Sequence, residues 1–275
     1  MENIILNRKK YRYTIHKNEA TDQVAIFLLG ALQDIESVEN FSNSFSKTLT
    51  CITVEIPGTG CADPIEPTVT IREQAQLLLD FITHMKIEKA HVIGFSYATA
   101  IAVEICDLWS GAQSLSVSVG VPGIPCTGRK ATKKVMAATM IDKQTFARSF
   151  VENLLSDNET IPRGKVIKKA MLKSISNLPD ERLEMFYDNS VRLLMHTPTN
   201  LNLTIPSIIC AGEHDPYCTT TLVKQFAKQV SNSRYHEIKA ADHLAHLQHP
   251  EKVSNALILL ASTSVHIEKT LPTLS

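Results

Sequence analysis

The sequence predicts an α/β protein: a mostly parallel central sheet flanked by helices, with a helical cap insertion. Three observations carry this. Short runs rich in Val and Ile alternate along the chain with segments of helical periodicity. Those runs are continuously apolar, as parallel strands buried on both faces require. The alternation stops between residues 122 and 201, where helical patterns follow one another with no strand between them.

The strands are read at 24–30 (VAIFLLG), 51–58 (CITVEIPG), 90–95 (AHVIGF), 114–120 (SLSVSVG), 206–215 and 234–243. Most end at Gly, Pro or Asp, which punctuate strands. The opening IILNRKKYRYTIHK alternates loosely and reads as an antiparallel hairpin. Between strands, segment 70–85 puts Ile71, Ala75, Leu78, Leu79 and Ile82 on one helical face, with Thr70 and Glu73 at capping-box spacing. Segments 219–231 and 250–262 repeat the pattern. Inside the insertion, 131–156 and 163–175 read as helices, and turn-rich VPGIPCTG and HTPTNLNLTIP bound it. The expected organisation is a core of 1–121 and 202–275 interrupted by a cap at 122–201.

Composition narrows the classes. The chain has 275 residues, 44% of them hydrophobic, which suits one sizeable core plus an insertion. Its 28 basic and 28 acidic residues argue against a nucleic-acid binder. The six cysteines form no CxxC pair and have no His cluster at zinc spacing, so they read as free thiols in a reducing compartment, with no metal or cofactor expected. The N-terminus lacks the apolar core of a signal peptide. No run approaches the roughly 20 apolar residues of a membrane span. A soluble, cytoplasmic protein is the expectation.

The chemistry begins at GFSYA, residues 94–98, where a lone Ser96 sits between a strand and a helix. The carboxyl end of a parallel strand is where α/β proteins place their sites. A serine there is either part of an ordinary turn or a nucleophile held on a tight elbow, with the following helix N-terminus favouring negative charge. Its partners must then follow as acid and histidine. Asp215 ends the strand 206–215 and reads either as that acid or as a helix N-cap. Glu213 and Asp242 are rival acids. His243, directly after the last strand, is the leading base, and His246 is the alternative. In such a unit the histidine takes the serine's proton, and the acid fixes the imidazole tautomer. The oxyanion donors are read as the backbone N–H groups of Tyr97 and Ala31.

These segments resemble the α/β-hydrolase fold superfamily, over nearly the whole chain. FLLGAL stands where that family often has an HG motif. EIPGTGCA resembles its DxPGxGxS loop, GFSYA its elbow, AGEHDP its acid loop and AADHLAHLQHPE its final GxGHxxHLExPE. Three positions depart from the pattern: Leu29 for the His of HG, Glu55 for the Asp before PG, and Ala98 for the second Gly. Leu29 and Ala98 put the oxyanion-hole geometry in question. LLGAL with a long following helix, the basic helical insertion and DPYCTTTLVKQF are similar to the 3-hydroxyacyl-carrier-protein transacylase/thioesterase branch, which implies an acyl ester or thioester substrate.

Neutral totals hide an asymmetry. Residues 125–175 hold eleven Lys and Arg against four Asp and Glu, a local excess of seven. This is either the solvated face of amphipathic helices or a docking surface for an acyl carrier protein or the phosphates of coenzyme A. Leu32, Met136, Met140, Phe146 and Phe150 are read as lining an acyl pocket, or else as plain core. The leading function is a serine hydrolase or acyltransferase. The competitors are a lyase or cofactor-free oxygenase using His243–Asp215 proton chemistry, and a catalytically silent binding protein.

Overall fold

A computed structural model describes residues 1–261. The chain opens with the strands β1 (Glu2–Leu6) and β2 (Lys9–His16), then β3 (Val24–Leu28), α1 (Ile35–Ser44), β4 (Thr50–Glu55), α2 (Ile71–His84), β5 (Ala90–Phe95), α3 (Ala98–Leu108) and β6 (Ala112–Ser118). Four cap helices follow: α4 (Arg129–Thr139), α5 (Lys143–Leu154), α6 (Gly164–Ser176) and α7 (Asp180–Met195). The core resumes with β7 (Ser207–Gly212), α8 (Thr220–Gln229), β8 (Ser233–Ile238), α9 (Ala245–Gln248) and α10 (Pro250–Leu257).

The eight strands form one sheet in the order β1-β2-β4-β3-β5-β6-β7-β8. β2 pairs antiparallel with both β1 and β4, and every later pairing is parallel. Strand period splits the core in two. Ile26 and Leu28 point into one apolar cluster, shared with α2, α3 and α8, while Ala25, Phe27 and Leu29 point into the other, shared with α1 and α10. Burial on both faces is why these strands read as unbroken apolar runs.

Local chemistry sets the ends. Thr70 accepts from Glu73 N while the Glu73 side chain bonds back to Thr70, closing the capping box expected at α2. Asp34 and Ser37 form a second one at α1. The expected single helix at 131–156 is two: Asp142, in extended backbone, caps α5 by accepting from Gln144 N and Thr145 N. The last strand ends at Ile238 rather than 243, because Ala240 turns left-handed with φ 52°. The C-terminal helix stops at Leu257, and position 262 of its expected range lies outside the described residues.

The cap is bound to the core by buried arginines. Arg182 on α7 donates to Gln33 O at 3.1 Å and reaches Asp34 Oδ2 at 3.4 Å. Arg192 donates to the carbonyls of Val69, Ile65 and Glu66. Glu55, fully buried at the end of β4, accepts from Ile35 N and Cys61 N at 2.7 Å each and pairs with Arg12 at 3.2 Å. Burial pushes its carboxyl pKa up, against those bonds. A glutamate there spans the start of α1 and the loop after β4. All six cysteines are free. No helix among the described residues is long and apolar enough to cross a membrane.

Candidate active site

β5 delivers Ser96 onto a tight turn, where its φ of 46° is left-handed, an unfavourable region for a residue with a Cβ. The turn closes because Gly94 has no side chain. A Cβ at Gly94 would lie 2.8 Å from Ala102 Cβ and 3.0 Å from Ala98 O. The close approach in this pentapeptide therefore uses the carbonyl of Ala98, not its methyl. An alanine at position 98 fits without disturbing it. Gly120, after β6, is still more confined: a Cβ there would lie 2.7 Å from Ser96 O and 2.0 Å from Thr99 Oγ1.

Three of the residues singled out from the sequence meet in one chain of contacts. Ser96 Oγ is 2.8 Å from His243 Nε2, and His243 Nδ1 is 2.8 Å from Asp215 Oδ2. Asp215 and His243 are each only 4% exposed. The other carboxylate oxygen, Asp215 Oδ1, accepts from Tyr217 N and Cys218 N at 2.9 and 2.8 Å. One Asp215 oxygen thus closes the turn at Tyr217 and Cys218 and the other meets His243, while the N-cap of α8 is Thr219 and not Asp215. An acceptor at Nδ1 places the ring proton there and leaves Nε2 as the acceptor facing the Ser96 hydroxyl.

The rival acids lie elsewhere. Glu213 bonds Lys239 Nζ and Ala240 N. Asp242 accepts from Leu244 N, Ser156 N and Gln248 Nε2, bracing the loop around His243. His246 lies beneath the site, packed against Phe41 and Phe95 with ring centroids 5.7 and 5.2 Å apart.

Above Ser96 lies a mostly apolar cavity of about 180 Å³. Ala31, Tyr97 and Leu32 line it from the core, and Val135, Phe150 and Phe186 from the cap. Of the residues read as an acyl pocket, Leu32 and Phe150 line this cavity and three others do not. Met140 is 79% exposed, just past the end of α4. Phe146 is fully buried inside the cap, its ring tilted against those of Phe150 and Phe186, and does not reach the cavity. Met136 packs on Ile124 and Leu194 in a separate small cluster. The stripes on α4 and α5 are spent largely on packing the cap itself.

Two lining residues, Tyr217 and Tyr97, make side-chain contacts that carried no sequence signal. The Tyr217 ring stands edge-on to His243 at 5.9 Å, with its hydroxyl 3.0 Å from Thr132 on α4. The Tyr97 hydroxyl sits between Gln74 and Asn189 of α7, at 2.5 and 2.9 Å, linking the elbow to the cap. Asp215, Cys218 and His243 also bring three metal-capable atoms within 4.8 Å of one another.

Comparisons place the chain in a family. A model of the Alpha/beta hydrolase family matches residues 32–256, and the chain belongs to that family. It is 26% identical over 210 residues to 3-oxoadipate enol-lactonase 1 of Acinetobacter baylyi, covering 73% of this chain and 74% of that one. It is 22% identical to the (R)-3-hydroxydecanoyl-ACP:CoA transacylase of Pseudomonas putida, covering 90% and 85%. Among solved structures, MGS-M2, an alpha/beta hydrolase from a deep-sea metagenome library, superposes with a TM-score of 0.84 at 15% identity, over 100% and 99% of the two chains. The enol-lactonase of Burkholderia xenovorans does so with a TM-score of 0.79 at 16% identity, over 94% and 99%.

Proposed function

We propose that the protein is a serine-dependent hydrolase or acyltransferase acting on an ester or thioester through an acyl-enzyme on Ser96. The observation that carries this is the unbroken series Asp215–His243–Ser96 at the floor of an apolar cavity. A serine hydroxyl is a weak nucleophile at neutral pH and needs an adjacent base. In this reading His243 Nε2 takes the hydroxyl proton as Oγ adds to the carbonyl carbon. The carbonyl oxygen becomes an oxyanion facing the N–H groups of Ala31 and Tyr97. Collapse expels the alcohol or thiol, which receives the proton from His243. Water or a second acyl acceptor then repeats the sequence in reverse and frees Ser96.

The relatives agree in kind, since their names describe a lactonase and a transacylase, both of which work at an acyl carbon. The apolar walls suit an acyl chain. The four basic residues of α4, Arg129, Lys130, Lys133 and Lys134, are all exposed and suit an acidic carrier protein or the phosphates of coenzyme A.

A fluorophosphonate probe tests the core of this reading. It should label the wild type and leave Ser96→Ala unlabelled. Folded wild type that is not labelled, or labelling at another residue, refutes it. The docking reading has its own test. Lys133, Lys134, Lys168 and Lys169 are reversed to Glu, and turnover of a carrier-protein thioester is compared with that of a small ester. Loss confined to the thioester supports docking. Equal loss, or none, refutes it.

A further inference from the structure

The turn carrying Ala31 has no polar side chain at position 29, where Leu29 is buried in the core. Its anchor comes from further along. Gln33 Oε1 accepts from Gly30 N at 2.8 Å, and Gln33 N donates to Gly30 O at 3.2 Å. The turn is thus closed on itself, with Leu32 held left-handed at φ 62°. It stands directly against the elbow: a Cβ on Gly30 would lie 3.4 Å from Ser96 Cβ.

With Oε1 committed to Gly30, the Gln33 amide nitrogen is the end that meets His246 Nε2, at 3.1 Å. That nitrogen can only donate, so His246 Nε2 must accept, and the ring proton lies on Nδ1. Nδ1 is buried with no hydrogen-bond partner. Burial in the aromatic pocket of Phe41 and Phe95 pushes the His246 pKa down to about 3, so the ring stays neutral and its acceptor persists across the working range. An orphaned buried ring nitrogen costs stability, and here it accompanies an acceptor fixed on Gln33.

We infer that Gln33 and His246 form a positioning pair that holds the Gly30–Ala31 turn in register with Ser96, aiming the Ala31 N–H at the oxyanion. This rests on the serine reading above. Both side chains line the cavity, and neither hydrogen-bonds Ser96, Asp215 or His243. Each acts through the turn. Arg182, donating to Gln33 O, adds a tie from the cap to the same loop.

The test compares wild type with Gln33→Met, which keeps the volume and removes both bonds, and with His246→Leu. The readouts are the rate of fluorophosphonate inactivation at Ser96, kcat and KM on a short-chain ester, and the unfolding midpoint. A displaced oxyanion donor typically costs on the order of 10- to 100-fold. Gln33→Met, on a half-buried loop, is expected to lose this much in kcat and in inactivation rate with KM little changed, while the groups it leaves unpaired, Gly30 N and His246 Nε2, lower the unfolding midpoint without unfolding the protein. Gln33→Glu adds a readout that a structural role would not move. Its carboxylate still accepts from Gly30 but meets His246 acceptor to acceptor unless one proton lies between them. Its activity relative to wild type should therefore fall as pH rises. Wild type that is not labelled at Ser96 refutes the serine reading and this one together. Labelled wild type, matched in rate by a folded Gln33→Met, refutes the positioning role alone.

Discussion

The close packing of β5 against α3 at Gly94 makes a quantitative prediction. Gly94→Ala would bring its new methyl 2.8 Å from Ala102 Cβ. Carbon atoms in contact prefer about 3.5–4.0 Å, so the helix would have to retreat by nearly 1 Å. It cannot do so freely, because Ala98 through Ile105 are all buried. Overpacking of this kind costs about 1–3 kcal/mol. Ala102→Gly alone should cost about 1 kcal/mol in helix propensity and somewhat under 1 kcal/mol in lost methyl burial. In the double variant the methyl–methyl clash is gone, so the two losses should fall short of their sum by about 1 kcal/mol. The rescue stays partial, since the Ala98 carbonyl, 3.0 Å from the added Cβ, is unaffected by either change. Urea unfolding of the four forms measures the coupling. The fluorophosphonate rate, slowed in Gly94→Ala and recovered in the double variant, reports whether the elbow moves with the helix. Losses that add within about 0.5 kcal/mol would show that the Ala102 methyl does not limit the approach of α3.

Other consequences are open to measurement. Asp215→Asn keeps the hydrogen bond to His243 but favours the wrong imidazole tautomer, and kcat should fall by about 10⁴-fold. Only a small loss would mean that another group orients His243. In native protein an alkylating reagent should modify Cys61 and Cys126, which are exposed, well before the other four cysteines. Burial holds the thiols of Cys51 and Cys210 up at about 12 and that of Cys218 well above its ordinary value. Peptide mapping that finds Cys210 modified as fast as Cys61 would contradict this. His91 is buried and its pKa is pushed down to about 4. Its contribution is complete above the unfolded value of about 6.5 and is lost as pH falls toward 4, on the order of 3 kcal/mol at about 1.4 kcal/mol per pH unit. His91→Gln should flatten the acid limb of the stability curve between about pH 6.5 and 4, and an unchanged limb would show that the imidazole does not drive it.

Much of the candidate site is written locally. Ser96, Asp215 and His243 each sit where a strand runs out, and strand ends are legible from apolar runs stopped by Gly, Pro or Asp. The sheet order carries such ends to one edge, so chain order and strand context were enough to name all three. The α2 capping box was legible for the same reason, since its two partners lie three residues apart. Ala98 raised a question the sequence could not answer, because it hides which atom of residue 98 approaches Gly94.

The cap shows where local pattern ends. Its helices were visible, and their apolar stripes were visible, but a stripe does not say what it faces. Phe146 and Phe150 lie four residues apart on α5, and only Phe150 reaches the cavity. Met140 falls beyond the end of its helix and points to solvent. The same holds for Gln33 and His246, which are 213 residues apart and meet at 3.1 Å. By itself the sequence determined the elements, their order and the three residues singled out at strand ends, because each depends on neighbours a few residues away. Tertiary structure alone decided which side chains wall the cavity and what holds the Ala31 turn, because those contacts form between segments that only the completed sheet and cap bring together.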